Sequence, residues 1–252
     1  MEKEQTLKDS NENTKVLTSN TLKIIAIIAM TIDHTALIFF PRYSLEIPVL
    51  FMHIIGRLAA PIMMFLIVEG YHYTRNIKKY IFRLFIWAIL THFSYAFAFG
   101  KSIIPIGFDQ TYVIWAYMLG LIALVIWEKS KFKTWQKNII LIPVICAAFP
   151  AAWSSPAALA ILHMGRNRGY FKKQMLWLIF FIAIYSIGYF IFLNKVYGLL
   201  QMLIVLAIPF LHQYNGQRGN WKGMKWFFYI YCPAHMIILG LIRIFILQIG
   251  KV

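Results

Sequence analysis

Long apolar runs broken by short polar gaps set the rhythm of this chain. The runs cover residues 22 to 40, 47 to 73, 80 to 99, 109 to 127, 139 to 150, 154 to 164, 174 to 192, 197 to 212 and 225 to 248. A helix needs about 20 mostly apolar residues to cross a hydrocarbon core roughly 30 Å thick, and most of these runs have about that length. The pattern predicts an all-α, polytopic transmembrane bundle of eight to nine membrane helices. The pair 139 to 150 and 154 to 164 is short and interrupted by Pro143, Pro150 and Pro156. It reads either as two short helices or as one re-entrant hairpin. Irregular backbone at membrane depth is tolerated only where protein or a water-filled cavity covers it, so the pair is expected to face a polar interior.

Composition agrees with the bilayer reading. With 60% hydrophobic residues, 13% charged residues and a mean hydropathy of +0.66, the chain exceeds what a soluble domain carries. Residues 1–21 are polar and read as a disordered cytoplasmic arm, too acidic and too long for the basic region of a signal peptide. No small-residue cleavage pattern follows the first run, which is therefore read as a retained helix. Residues 22–252 form a single integral-membrane domain on this reading. Cys146 and Cys232 both fall in apolar segments, the pattern of buried thiols and not of a disulfide framework.

The net charge of +16 suggests nucleic acid until the basic residues are placed. They gather in alternate gaps: Lys3, Lys8, Lys15 and Lys23, then Arg75, Lys78, Lys79 and Arg83. Lys129, Lys131, Lys133 and Lys137 follow, then Arg166, Arg168, Lys172 and Lys173, and finally Arg218, Lys222 and Lys225. The opposite gaps hold only Arg42, Lys101, Lys195 and Lys251. By the positive-inside rule the rich side is cytoplasmic, which puts the N-terminus inside and the C-terminus outside. The partner implied is a lipid bilayer and not a nucleic acid.

The candidate chemistry lies in polar residues within the apolar runs. Asp33 and His34 fall near the middle of the first, His53 and Arg57 stand one turn apart on the second, and His92 and His235 lie at mid-depth in the third and last. Asp109 and Gln110 open the fourth run from outside. A charge at the bilayer centre costs roughly 2.5–3.5 kcal/mol on insertion scales, so Asp33 and Arg57 are expected to face the interior and each other. One reading is an ion pair that fixes helix packing, with histidines as interhelical hydrogen-bond donors. The other is catalytic, since a histidine held by a carboxylate is a ready general base. Glu69, His72, Arg75 and Asn76 near the inner face form either an interfacial helix end or a mouth for an anionic ligand. The nucleotide-loop, dinucleotide, serine-hydrolase and zinc-protease signatures GxxxxGKS/T, GxGxxG, GxSxG and HExxH are absent, and the histidine spacings give no metal-ligand set.

Several stretches are similar to the TraX family: "TIDH" in the first run, "GRLAAPIMMFLIVEGYHYTRN" in the second, "NRGYFKKQ", "YGLLQ", and "YNGQRG" followed by "KWFFYIYCPAH". The resemblance runs from about residue 20 to 245, and the block from Gly56 to Asn76 is its most specific part. It implies a bacterial cytoplasmic-membrane acyltransferase that takes acetyl from cytoplasmic acetyl-CoA. The acceptor implied is an amine or hydroxyl, such as a pilin N-terminus or another protein or glycan of the cell surface. His34, Asp33 and Arg57 are then the catalytic candidates, with Asp33 orienting His34 and Arg57 steadying an oxyanion or pairing with Asp33. Glu69, His72, Arg75, Asn76, His53, His92 and His235 are candidate substrate contacts. Arg166, Arg168, Lys172, Lys173 and Lys78 are candidates for the acetyl-CoA phosphates. Two departures stand out: Ala152 in "AAWS" occupies a position where the family pattern implies an acidic residue, and "RLAAPI" replaces an expected "RLAFPI". A proton-coupled transporter using Asp33, His34 and Arg57 is the competing reading, because interrupted helices around intramembrane charges also serve transport.

Overall fold

The computed structural model describes residues 15–104 and 110–249. Most of the N-terminal arm and Asp109 therefore lie outside the described residues. The helices are α1 (Ser19–Phe39), α2 (Ile47–Gly56), α3 (Ala59–Tyr73), α4 (Ile77–Phe99), α5 (Ile114–Lys129), α6 (Thr134–Cys146), α7 (Ser154–Arg166), α8 (Phe171–Phe192), α9 (Lys195–Gln201), α10 (Ile208–His212) and α11 (Met224–Ile249). A 3₁₀ segment, Met202–Ala207, joins α9 to α10. Among the described residues no strand forms; two isolated bridges, Leu17 to Tyr214 and Thr111 to Ala151, are the extended pairings.

Six of the described helical stretches are long and apolar enough to cross a membrane: α1, α2 with α3, α4, α8, α9 through α10, and α11 as far as Ile246. Shorter are α5, α6 and α7, at 16, 13 and 13 residues. At 1.5 Å per residue the last two are each about 20 Å long.

Local chemistry sets the boundaries. Asn76 and Asn194 cap α4 and α9, accepting from Lys79 N at 2.9 Å and Tyr197 N at 3.0 Å. Thr18 caps α1 and starts it three residues earlier than the apolar run alone indicates. This start is tied to the loop before α11: Leu17 N donates to Gln213 O, Ser19 N to Gln217 O and Asn20 N to Arg218 O. The run from 47 to 73 breaks at Arg57 and Leu58. Pro61 has no N–H for the Arg57 carbonyl four residues back, and its ring crowds that carbonyl, so the helix cannot continue unbroken. Pro209 acts likewise on the Val205 carbonyl, and that stretch is the 3₁₀ segment.

Two helices form the centre. Ala157, Ala158, Ala160 and Ile161 of α7 are fully buried, as are Ala116, Leu121, Ala123 and Leu124 of α5. Small residues let the two backbones approach: a Cβ on Gly120 would meet Ile161 and Ala158, and one on Gly165 would run into Leu124. Around this pair α7 also packs on α3 and α8, α1 packs on α2, α3 and α11, and α11 packs on α4. Outward faces stay apolar. Along α8, Leu176, Phe180, Ile184, Ile187 and Ile191 form an exposed stripe at helical spacing, as expected of a surface that meets lipid.

Candidate functional site

Two of the helices packed on α1, α2 and α11, divide its polar residues between them. Successive residues on a helix point about 100° apart, so Asp33 and His34 cannot share a partner. Asp33 turns to α2. Its Oδ1 accepts from His53 Nδ1 at 2.8 Å, and Arg57 Nη2 donates to Oδ1 and Oδ2 at 2.8 and 2.9 Å. His53 and Arg57 reach the same carboxylate because four residues separate them on one helical face. The Arg57 Nε donates to the His53 carbonyl at 3.2 Å and Nη1 to Gln201 Oε1. The guanidinium also lies 5.3 Å from the Trp153 ring. Arg57 thus gives one nitrogen to each of Asp33, Gln201 and the His53 carbonyl, and Asp33, His53, Arg57 and Gln201 are all buried.

Close approach makes this possible. A Cβ on Gly56 would collide with the Asp33 side chain, so α2 can rest against α1 at this depth only without one.

His34 turns to α11. Its Nδ1 lies 2.8 Å from His235 Nε2, and His235 Nδ1 lies 2.8 Å from the Tyr231 carbonyl. A carbonyl only accepts, so His235 carries its proton on Nδ1 and accepts at Nε2, and His34 Nδ1 donates. By the same logic His53 donates from Nδ1 to the carboxylate. In both His34 and His53 the lone pair is left on Nε2. The expectation that Asp33 orients His34 is corrected by this geometry, since the histidine that Asp33 orients is His53.

Two cavities end at this cluster. The larger, about 490 Å³, runs from Ser19, Lys23, Thr74, Arg83, Arg218 and Lys225 at one end to Asp33 and Trp153 at the other. The smaller, about 100 Å³, approaches from the opposite end of the helices and is lined by Asp33, His53, Arg57, Ala152 and Trp153 with Tyr185, Tyr189 and Tyr197. Among the described residues only Asp33 and Trp153 line both. Trp153 and Ser154 carry left-handed backbone, φ 64° and 50°, which costs a non-glycine residue energy that its surroundings must supply. The surroundings are the bridge at Thr111, where Ala152 N donates to the Thr111 carbonyl at 2.9 Å, and the Tyr185 ring stacked on Trp153. The short helix pair thus meets at a residue that faces both cavities.

The remaining candidates lie apart from this centre. His92 is bonded at Nε2 to the Ile103 carbonyl at 2.7 Å. His72 and Arg75 are exposed, and Asn76 serves as a helix cap. Glu69 lines the larger cavity with its carboxylate held by Arg168, Nε to Oε1 at 2.9 Å and Nη2 to Oε2 at 3.1 Å. Those bonds raise the Arg168 guanidinium above its ordinary value. Arg166 lies 3.9 Å over the Trp127 ring and Lys173 5.1 Å over Tyr170, while Lys78 and Lys172 are exposed. None of these five basic residues lines the larger cavity. The cations that do are Lys23, Arg83, Arg218 and Lys225. Their positions in three separate stretches of sequence, around Lys23, around Arg83 and from Arg218 to Lys225, gave no local motif to find them by. Among the described residues no group of three or more His, Cys, Asp or Glu side chains could hold a metal ion.

An all-helical integral membrane protein with a buried carboxylate, arginine and histidine centre between two cavities is the class these observations define. The TraX protein family matches residues 18–243, nearly the whole chain, and the chain belongs to that family. It is 28% identical over 239 residues, covering 89% of this chain and 95% of the relative, to the probable fimbrial assembly protein FimC, serogroup H1, of Dichelobacter nodosus. No solved structure matches it.

Proposed function

We propose that the chain is an acetyltransferase of the bacterial cytoplasmic membrane that moves acetyl from cytoplasmic acetyl-CoA to an amine or hydroxyl on a pilin N-terminus or another cell-surface component. The observation that carries this reading is the meeting of two cavities, from opposite ends of the bundle, on Asp33. A donor thioester entering by the larger cavity and an acceptor entering by the smaller reach the same carboxylate without either crossing the whole membrane. On this reading α5 and the α6–α7 pair complete an eight-to-nine-helix bundle, with the basic face and the N-terminus in the cytoplasm. The fimbrial name of the relative supports a pilin-type acceptor.

The chemistry follows from the tautomers. His53, fixed by Asp33, offers Nε2 as general base beside the smaller cavity. It takes the proton from the acceptor nitrogen or oxygen as that atom attacks the thioester carbonyl. That attack forms the carbon–nitrogen or carbon–oxygen bond and moves the carbonyl electron pair onto oxygen; the tetrahedral intermediate then collapses, the carbonyl re-forms, the carbon–sulfur bond breaks, and the proton passes from His53 to the departing thiolate. Arg57 stabilises Asp33 as a carboxylate throughout.

The test is radiolabelled acetyl-CoA supplied to the full-length protein in proteoliposomes that contain membrane extract as the acceptor source. Coenzyme A release and label on an acceptor, lost in Asp33→Asn with folding retained, is the expected result. Folded protein that releases no coenzyme A and labels nothing overturns it. The helix break at Arg57 favours the transporter as the second reading. Proton-linked uptake of a solute by the same vesicles would identify it.

A further inference from the structure

We propose that the mouth of the larger cavity is a phosphate-binding site, built from Lys23, Arg83, Arg218 and Lys225, which holds the phosphorylated end of a ligand whose uncharged tail lies in the cavity toward Asp33. This deepens the acyl-transfer reading and rests on it for the identity of the ligand, though not for the chemistry of the site.

The four cations come from α1, α4, the loop before α11, and α11 itself, and all four line one cavity. Lys23 and Lys225 are partly withdrawn from water, and beyond that Lys23 feels the charges of Arg218 and Lys225, and Lys225 those of Arg83 and Arg218. Among the described residues none of the four is in an ion pair. Among the described residues two carboxylates line the same cavity, and both are taken: Asp33 by Arg57, Glu69 by Arg168. Unneutralised cations gathered at the end of an apolar bundle cost free energy unless an anion joins them, and phosphate oxygens accept charge-assisted bonds from several cations at once.

The mouth is also held in shape. The loop carrying Arg218 is bonded to the start of α1 at Ser19 and Asn20, and Arg218 Nη2 donates to the Lys222 carbonyl at 2.9 Å. Gly219, at φ 90°, sits where a Cβ would strike Thr18 Oγ1 and Asn20, so the loop lies directly against the helix start. Arg83 is set over the Tyr80 ring at 5.4 Å.

Length fits a tailed ligand. Lys23 and Asp33 are ten residues apart on one helix, a rise of about 15 Å. Met63, Leu66, Ile67 and Phe228 line the way between. A slim, mostly uncharged arm of that length, such as a pantetheine arm, reaches from the cations to the carboxylate. The phosphate can come from a soluble coenzyme or from a lipid headgroup, and the two are separable.

Full-length protein in phosphatidylcholine nanodiscs is titrated with coenzyme A, dephospho-coenzyme A, pantetheine and inorganic pyrophosphate, and the titrations are repeated in nanodiscs that include phosphatidylglycerol. The variants are Arg218→Gln and Lys225→Gln, their conservative forms Arg218→Lys and Lys225→Arg, and Lys131→Gln as an exposed basic control outside the cavity. Each is checked by thermal unfolding. Arg218 sits on an exposed loop, so its variants carry the test where Lys225→Gln misfolds. Coenzyme A is expected to bind more tightly than pantetheine, and each glutamine variant to weaken coenzyme A on the order of tenfold. Pantetheine affinity stays the same, Lys131→Gln changes nothing, and added salt acts as the glutamines do.

Equal affinity for coenzyme A and pantetheine, or glutamine variants indistinguishable from Lys131→Gln, overturns the site even where acetyl transfer is observed. Pyrophosphate binding that phosphatidylglycerol displaces and Arg218→Gln weakens, with no coenzyme A binding, upholds the phosphate site with a lipid ligand and defeats the acyl-transfer reading. Folded protein that binds no phosphate compound defeats the site.

Discussion

His53 and Asp33 meet across two helices, Nδ1 to Oδ1 at 2.8 Å, on a carboxylate whose two oxygens also receive one nitrogen of Arg57. The carboxylate is therefore a hub, and removing one spoke leaves a buried charge with too few partners. Arg57→Met is expected to cost roughly 3–5 kcal/mol, the range for breaking a buried pair from one side. Arg57→Met combined with Asp33→Asn should lose less than the sum of the two single changes. Unfolding of the four proteins in detergent measures this, and strict additivity would show that the pair is not coupled.

The contact between α1 and α2 depends on Gly56. A methyl group there would occupy the space of the Asp33 side chain, so Gly56→Ala must either push the helices apart or turn the carboxylate away from its partners. A destabilisation of about 1–3 kcal/mol is expected, with loss of any acetyl-transfer activity. Gly188, inside α8 with nothing within 4 Å of its Cβ position, is the control, and Gly188→Ala should be neutral to stabilising by up to about 1 kcal/mol. Equal melting temperatures for the two alanine variants would remove the close-approach argument.

The helices were largely legible in the apolar runs because a bilayer imposes length and composition on whatever spans it. The run from 47 to 73 shows where that legibility ends. Its apolar pattern is continuous, yet the backbone breaks at Arg57, and the cause is a single Pro61. The cost of an unpaired charge brought Asp33 and Arg57 together as candidates, and their side chains do meet. Sequence adjacency misled for Asp33 and His34, since neighbours on a helix face different helices. The partner of His34 is His235, 201 residues away, and no local spacing encodes that. The basic residues were easy to count and hard to place. Their sum gives a membrane side, whereas the cavity is lined by four of them from three of the basic gaps and passes over Arg166, Arg168, Lys172, Lys173 and Lys78.

Two histidines with a lone pair on Nε2 can be told apart by activity. His53 lines the smaller cavity and is held by the carboxylate, while His34 lines neither cavity and is held by His235. His53→Gln is expected to slow coenzyme A release from acetyl-CoA by about 10²–10⁴-fold, the contribution of a positioned general base. His34→Gln should slow it less, and combining His34→Gln with His235→Gln should add little to the single change. The reverse ranking would move the base to His34 and leave His53 as packing.

Trp153 offers a comparison in which the usual order of two substitutions is inverted. Glycine at a helix start or in a turn ordinarily loses to alanine, because glycine gives up more chain entropy on folding. At φ 64° the balance changes, since a Cβ is strained there and glycine is not. Trp153→Ala and Trp153→Gly both remove the ring that stacks on Tyr185 and lies beside Arg57, so the lost contacts cancel between them. What remains is the backbone term, and Trp153→Gly is expected to be the more stable of the two by about 1 kcal/mol. Thermal unfolding of the two variants in the same detergent decides it. An alanine variant that melts higher would mean that the turn relaxes once the ring is gone, so that the ring itself holds the left-handed backbone between the two cavities. The expected order would instead assign that conformation to the Thr111 bridge and the start of α7, which leaves the indole free to be exchanged for other side chains without disturbing the wall between the two cavities.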